Sequence, residues 1–249
     1  MKTAMRMLSK TDFIIPDWPA PANVKAIQTT RNGGFSVAPY HSLNLGEHVQ
    51  DDALSVTKNR QLLRQYLPSE PVWLNQVHGI EVIDAAISPC LEDADASFST
   101  HKNVVCVTMT ADCLPVLLCN QEGTAVAAIH AGWRSLCDGV IEATIKTLGM
   151  QSSDLMAWLG PAIGPKAFEV GHEVLLAFMT QDTQAEQAFS PVGNKWLADL
   201  YLIARQRLNK QGITKIYGGG ECTYHNSDQY FSFRRDGITG RMATMIWFE

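Results

Sequence analysis

The run Val104–Gly149, VVCVTMTADCLPVLLCNQEGTAVAAIHAGWRSLCDGVIEATIKTLG, decides how the rest of the chain is read. VVCVTMT, CLPVLLC and AVAAIH are short apolar runs rich in β-branched residues, which predicts strands. NQEG between the last two is a turn, so those strands are close enough for a hairpin. After His130 the period changes. Cys137, Val140, Ile141, Ile145 and Leu148 form an apolar stripe, Ser135 with Asp138 reads as a capping arrangement, and Gly149 as a stop.

Outward from this run, residues 1–15 read as an irregular arm that continues into the proline-rich PDWPAPAN. VKAIQTTR alternates as a strand and ends in the glycine turn Asn32–Gly34. SVAPYHSLNLGEHVQDD follows, a long loop with neither helix nor strand period, which points to a functional segment. Ser55 is the expected N-cap of a helix from Val56 to about Leu67, stopped by Pro68. PVWLNQVH and EVIDAAI read as strands on either side of a glycine turn, and CLEDADAS as an acidic loop. Downstream, LMAWLGPAIG reads as a strand, EVGHEVLLAFMT as a short helix and TQDTQAEQAFSPVGN as a polar connection. WLADLYLIARQRLNK is a firm helix, and ITKIYGG, QYFSFRR and MATMIWFE read as strands. Strands and helices follow one another without a steady βαβ rhythm. That predicts an α+β fold, mixed β-sheets packed with helices, in a single domain over residues 1–249.

The 249 residues are 46% apolar and 18% charged, with a formal net charge of -5. That balance disfavours nonspecific nucleic-acid or anionic-membrane binding. No apolar run approaches the roughly 18 residues of a membrane span, and no apolar segment follows the basic residues of the first ten. A cytoplasmic protein is expected, acting on a small molecule, with no nucleic-acid or membrane partner, as a monomer or weak homodimer. The six cysteines include no CxxC pair, so a disulfide framework is not expected.

His78 in NQVHG, Cys113 in TADC and His130 in AAIHAGW each close an apolar run beside small or polar residues. Two readings stay open. Two histidines and a thiolate can hold zinc with an open fourth position. Alternatively, Cys113 beside Asp112, with His130 as base, can serve as a nucleophile. Against both stands the plain reading of hydrogen-bonded histidines and a packed cysteine. Arg31, Arg134 and Arg234 lie at loop or strand ends, where a guanidinium suits an anion. His48 and His225 are second-rank candidates, and Asp84, Asp93 and Asp95 form no pair with catalytic spacing.

NQVHG, MTADCLPVLLC and AAIHAGWR, together with SLNLG and the FRRD segment, closely resemble the YfiH-type laccase-domain family over about Pro16–Glu249. Its bacterial members carry the names purine nucleoside phosphorylase and polyphenol oxidase. The resemblance implies an α+β fold shared, with its Cys–His pair, by bacterial deamidating toxins. It implies zinc on His78, Cys113 and His130, which are then both metal ligands and catalytic residues. It also implies phosphorolysis of adenosine, inosine, guanosine and methylthioadenosine, with some adenosine deamination. A purine nucleoside and phosphate are then expected between the Asn32–Asn44 loop and the His130–Arg134 turn, with Arg31, Asn44 and Arg134 as substrate contacts. Two alternatives remain: a cysteine hydrolase or amidase using Cys113 and His130, for instance in cell-wall metabolism, and a polyphenol oxidase holding Cu(2+). The oxidase name conflicts with the residues, because a multicopper oxidase needs about ten histidines, usually with HxH pairs. This chain has 7 histidines and no HxH.

Overall fold

The computed structural model describes residues 7–9, 12–88 and 91–249; Cys90 and the start of the expected arm lie outside them. In chain order the elements begin with β1 (Phe13–Ile14), β2 (Val24–Thr29), α1 (Ala53–Arg64), β3 (Val82–Asp84), β4 (Ala96–Ser99) and β5 (Cys106–Thr110). The central part is β6 (Leu114–Asn120), β7 (Val126–Ala131), α2 (Trp133–Asp138), α3 (Val140–Leu148) and β8 (Leu155–Leu159). Then come β9 (Glu169–Val170), α4 (His172–Gln181), β10 (Phe189–Val192), β11 (Lys195–Ala198) and α5 (Leu200–Lys210). The chain closes with β12 (Ile216–Gly218), α6 (Phe233–Asp236) and β13 (Met242–Phe248).

Two larger sheets carry the architecture, one of four strands in the order β1-β2-β13-β5 and one of six in the order β12-β8-β6-β7-β4-β3. The six-stranded sheet is mixed: β12–β8 and β3–β4 are parallel, and its other pairs are antiparallel. Alternation along β6 and β7 explains the layering. Leu114, Val116 and Leu118, with Ala127 and Ile129, pack under Leu136, Ile141 and Ile145 and under Ile203 and Leu208 of α5. Leu117 and Cys119, with Val126 and Ala128, face the other way onto Cys106, Ile246 and Phe248 of the four-stranded sheet. The far side of that sheet, through Val107, Met245 and Trp247, meets Leu62 and Leu63 of α1. The order of layers is therefore helix, sheet, sheet, helices. A strand buried on both faces reads as a continuous apolar run, which is why CLPVLLC shows little alternation. Truncating Leu117 or Leu118, both fully buried, to Ala should cost about 2–5 kcal/mol.

Several expected elements fall elsewhere. Helix α1 is capped by Asp52, not Ser55: the Asp52 carboxylate accepts from the Ser55 amide, and negative charge is favoured at a helix start. The helix after His130 starts at Trp133 directly out of β7, and Gly139 (φ 102) splits it into α2 and α3. PVWLNQVH makes only single bridges, at Val72 and Asn75, because its polar side chains bond to neighbouring segments. WLADLYLIARQRLNK divides into β11 and α5, because Asp199 caps the helix through the Leu202 amide. QYFSFRR forms no strand: Tyr230 and Phe231 bury against Ala111 and Met242, and Ser232 caps α6. The polar connection after α4 contains a 3-10 turn at Thr183–Ala188 and the strand β10.

Candidate metal centre

The β6–β7 hairpin solves the spacing between Cys113 and His130. Its register pairs Pro115 with His130 and Leu114 with Ala131. One step further places Cys113 opposite Gly132. Residues 113 and 115 share one face of their strand, as do 130 and 132 on the other. Diagonal neighbours on one face of an antiparallel pair lie within reach of long side chains. Gly132 keeps the gap open, since a Cβ there would lie 2.7 Å from His78 Cδ2 and 3.3 Å from Cys113 Sγ.

His78 reaches the same point from a loop. It has φ 60, a left-handed conformation uncommon for a residue with a side chain. Gln76 holds one end of that loop, donating to the Met109 carbonyl at 2.8 Å and accepting from the Met109 amide at 2.7 Å. Asp95 holds the other end. Its carboxylate, fully buried, accepts from the amides of Val77 (3.1 Å), His78 (3.0 Å) and Gly79 (2.6 Å). Consecutive amides converging on one anion form a nest. The same carboxylate lies 2.7 Å from His130 Nδ1, so that nitrogen carries the proton and Nε2 is left for other work. Asp112 (φ 99) fixes the Cys113 turn, its carboxylate accepting from Thr223 Oγ1 and the Arg234 amide, both at 2.6 Å.

The structure thus brings His78, Cys113 and His130 together. One ligand atom from each lies within 4.8 Å of the others, the one such group among the described residues. Cys113 Sγ and His78 Nε2 are 3.8 Å apart. Tetrahedral zinc at about 2.3 Å from sulfur and 2.0 Å from nitrogen spaces two ligands by about 3.5 Å. The donor set fits the ion. Exposure rises from buried His130 through Cys113 to exposed His78, so the side away from His130 faces solvent.

Electrostatics agree with a paired centre. Burial pushes the Cys113 thiol up, but His130 and His78 outweigh it and bring it to about 6. Burial pulls His130 down, while the Cys113 thiolate and Asp95 raise it to about 9. Asp95 is driven up by burial and held below the usual carboxylate value by His130 and the amides of Gly79 and Val77.

A cleft of about 460 Å³ covers His78, Cys113 and His130, walled among others by His48, Trp133, Arg134, Phe233 and Arg241. Arg134 lies over the Trp133 ring at 4.4 Å, and among the described residues neither Arg134 nor Arg241 pairs with a carboxylate. His48 is drawn below its ordinary pKa by burial and then by Arg241. Arg31 points elsewhere, donating to the carbonyls of His41 and Ser227 and lying over Phe231. Arg234 likewise donates to the Glu169 carbonyl. Asn44 is fully buried behind the wall: its oxygen accepts from the Gly46 and Arg241 amides, and its amide donates to Asp51. The Asn32–Asn44 loop supplies none of the cleft's lining and is tied down by Asn59 of α1 through Phe35, Ser36, Ser42 and Asn44.

Reading by residue type missed Asp95, Gln76 and Arg241. Asp95 hides in an acidic run that looks solvated, and only burial separates it from Asp93. Arg241 immediately precedes the last strand, where its charge next to Gly240 was the available signal.

Comparison with known proteins follows the same lines. Residues 25–249 match the profile of the family described as multi-copper polyphenol oxidoreductase laccase. A Pseudomonas aeruginosa protein named purine nucleoside phosphorylase PA4543 is 51% identical over 95% of this chain and 98% of its own. Purine nucleoside phosphorylase YfiH of Escherichia coli is 53% identical over 94% of this chain and 98% of its own. The crystal structure of Neisseria meningitidis protein NMB0706 superposes with a TM-score of 0.92 at 50% identity, covering 96% of this chain and 99% of that one. YlmD from Geobacillus stearothermophilus superposes with a TM-score of 0.86 at 26% identity, covering 98% and 99%. On the strength of the profile match and of full-length relatives at this level of identity, the chain belongs to the YfiH-type multi-copper polyphenol oxidoreductase laccase family.

Proposed function

We propose that the protein is a zinc-dependent purine nucleoside phosphorylase acting on adenosine, inosine, guanosine and methylthioadenosine, with adenosine deamination as a side activity. One observation carries the reading: the His78–Cys113–His130 group lies at a cleft that also presents two arginines, in a chain about half identical to proteins bearing that name. A zinc ion there would supply Lewis-acid chemistry at an open fourth position. The chain's own residues do the rest. Trp133 and Phe233 offer ring faces to a purine, Arg134 lies over the Trp133 ring at the cleft wall, and Arg241 offers positive charge to an anion. In phosphorolysis an oxygen of hydrogen phosphate bonds to ribose C1′ and the C1′–N9 bond breaks toward the base. The base takes up the proton that phosphate gives away, leaving ribose 1-phosphate. Deamination replaces the 6-amino group of adenosine by the oxygen of water, releases ammonia and needs no phosphate.

Multicopper chemistry lacks its ligands among the described residues. A type 1 copper and a trinuclear cluster need several metal positions, and the described residues provide one. Copper in that single position stays an alternative ion, since His and Cys donors also bind it tightly. A second reading, a cysteine hydrolase, is favoured by the Cys113 thiol at about 6 beside His130. Purified protein should carry about one zinc per chain and release hypoxanthine from inosine only with phosphate, and Cys113→Ala should lose both. A metal-free protein with full phosphorolysis would overturn the zinc reading. A covalent substrate adduct on Cys113 in that protein would install the hydrolase.

A further inference from the structure

Beside the cleft lies a smaller hollow of about 220 Å³, lined by His48, Val49, Gln50, Phe233, Thr239 and Arg241, among others. It shares His48, Phe233 and Arg241 with the cleft over the metal ligands. We propose that this hollow is the anion subsite, taking a phosphoryl oxyanion on Arg241, Thr239 and His48. The proposal rests on the phosphorolysis reading and deepens it by placing the second substrate.

Three observations converge. First, Arg241 is fixed before any ligand arrives. Its amide donates to Asn44 Oδ1 at 2.8 Å, and its Nη1 donates to the carbonyls of Thr239 and Gly240, both at 3.1 Å. Its stem lies on Gly46, where a Cβ would come within 2.8 Å of Arg241 Cγ. Those bonds engage one terminal nitrogen, and no carboxylate among the described residues lies within ion-pair distance of the guanidinium, Asp112 and Cys113 acting on it only from farther away. Second, Thr239 is 2% exposed and its hydroxyl has no hydrogen-bond partner among the described residues. A buried hydroxyl left without a partner costs about 1–3 kcal/mol, and an anion oxygen would satisfy it. Third, His48 stands on the wall common to both spaces, so an anion held there abuts a nucleoside in the larger one. A fixed guanidinium with a hydroxyl and an imidazole is the donor chemistry that a tetrahedral oxyanion requires.

Arg134 does not offer such a site. It is exposed, and its guanidinium lies over the Trp133 ring. That geometry suits closing over a base more than gripping a dianion.

The oxyanion can come from free phosphate or from the phosphate ester of a nucleotide. Inorganic phosphate, then inosine 5′-monophosphate, should be titrated into the zinc-loaded wild type and the variants Arg241→Lys and Thr239→Val. Phosphate should bind the wild type, and each variant should raise its Kd and its KM about tenfold, with the KM for inosine nearly unchanged. Thr239→Val removes a partnerless hydroxyl, so a purely structural role would raise Tm and leave the phosphate KM alone. Inosine binding together with phosphate assigns the subsite to the free ion, whereas the monophosphate displacing phosphate assigns it to the ester. No phosphate binding to the wild type, or unchanged phosphate constants in both variants, would overturn the subsite. Should inosine not be cleaved at all, the phosphorylase reading fails, and direct phosphate binding still judges the subsite by itself.

Discussion

Asp95 and His130 are joined twice: the Asp95 carboxylate meets His130 Nδ1 at 2.7 Å, and the His130 amide donates to the Asp95 carbonyl at 2.7 Å. Because the same carboxylate collects three amides of the His78 loop, one buried side chain sets the positions of both histidines of the cluster. Asp95→Asn keeps size and loses charge, and its amide nitrogen cannot accept from that nest. Outer partners of metal histidines are worth about 10–100-fold in affinity. We expect that loss of zinc affinity in a chelator competition, together with a lower Tm in the metal-free protein. Unchanged affinity would mean that Asp95 only folds the loop.

Protons should leave when the metal binds. In the metal-free protein Cys113 is a thiolate above about 6, and His130 keeps its extra proton up to about 9. Zinc needs His130 Nε2 unprotonated, so between these values one proton is released and affinity rises about tenfold per pH unit. Below about 6 the Cys113 thiol must be deprotonated as well, so at least two protons leave and the slope steepens. Above about 9 this contribution is spent. Calorimetry at pH 7.5 in buffers of different ionisation enthalpy checks the count, and zero protons released would contradict the thiolate–imidazolium pair.

Gly132→Ala isolates the role of close approach. Gly132 has φ -62, which alanine adopts without strain, so the backbone is not at issue. What the methyl meets is His78 at 2.7 Å and Cys113 at 3.3 Å. The variant should fold, keep its far-UV circular dichroism and lose most of its zinc. A variant with full zinc content would show that the His78 loop yields easily.

Much of the fold was legible because it lies in strands with an unbroken apolar run. The three strands of the opening stretch, VKAIQTTR and MATMIWFE all formed, and Gly149 ends α3 with φ 64. What failed were positions where a side chain overrides the local period. Asp52 outcompetes Ser55 for the cap because a carboxylate carries charge to the helix start. Tyr230 and Phe231 look like strand residues, and they bury by bending around Ala111. At the centre, the meeting of Cys113 and His130 follows from hairpin register, which a turn at NQEG implies. The Asp95 nest does not follow, since it joins amides 16 to 18 residues away. Neither does Arg241, which Asn44 reaches across 197 residues.

Arg31 and Arg134 share the sequence signature of an anion contact, and the structure gives them different surroundings, so they should fail differently. Arg31 donates to the His41 and Ser227 carbonyls at 3.0 and 2.9 Å and joins two distant segments. Arg31→Ala should therefore lower stability by about 1–3 kcal/mol in urea denaturation, with the KM values of the surviving enzyme close to wild type. Arg134 is exposed, stacks on Trp133 and lines the cleft. Its removal should cost well under 1 kcal/mol of stability and reduce kcat/KM for inosine about 10-fold, through loss of roughly 1.4 kcal/mol of transition-state contact. If Arg134 grips the nucleoside, adenosine deamination should fall alongside phosphorolysis. If it grips phosphate, deamination should be spared, and the anion would then sit on Trp133's side of the cleft, away from Arg241. Parallel assays of hypoxanthine and inosine release, with and without phosphate, separate these outcomes in one set of variants.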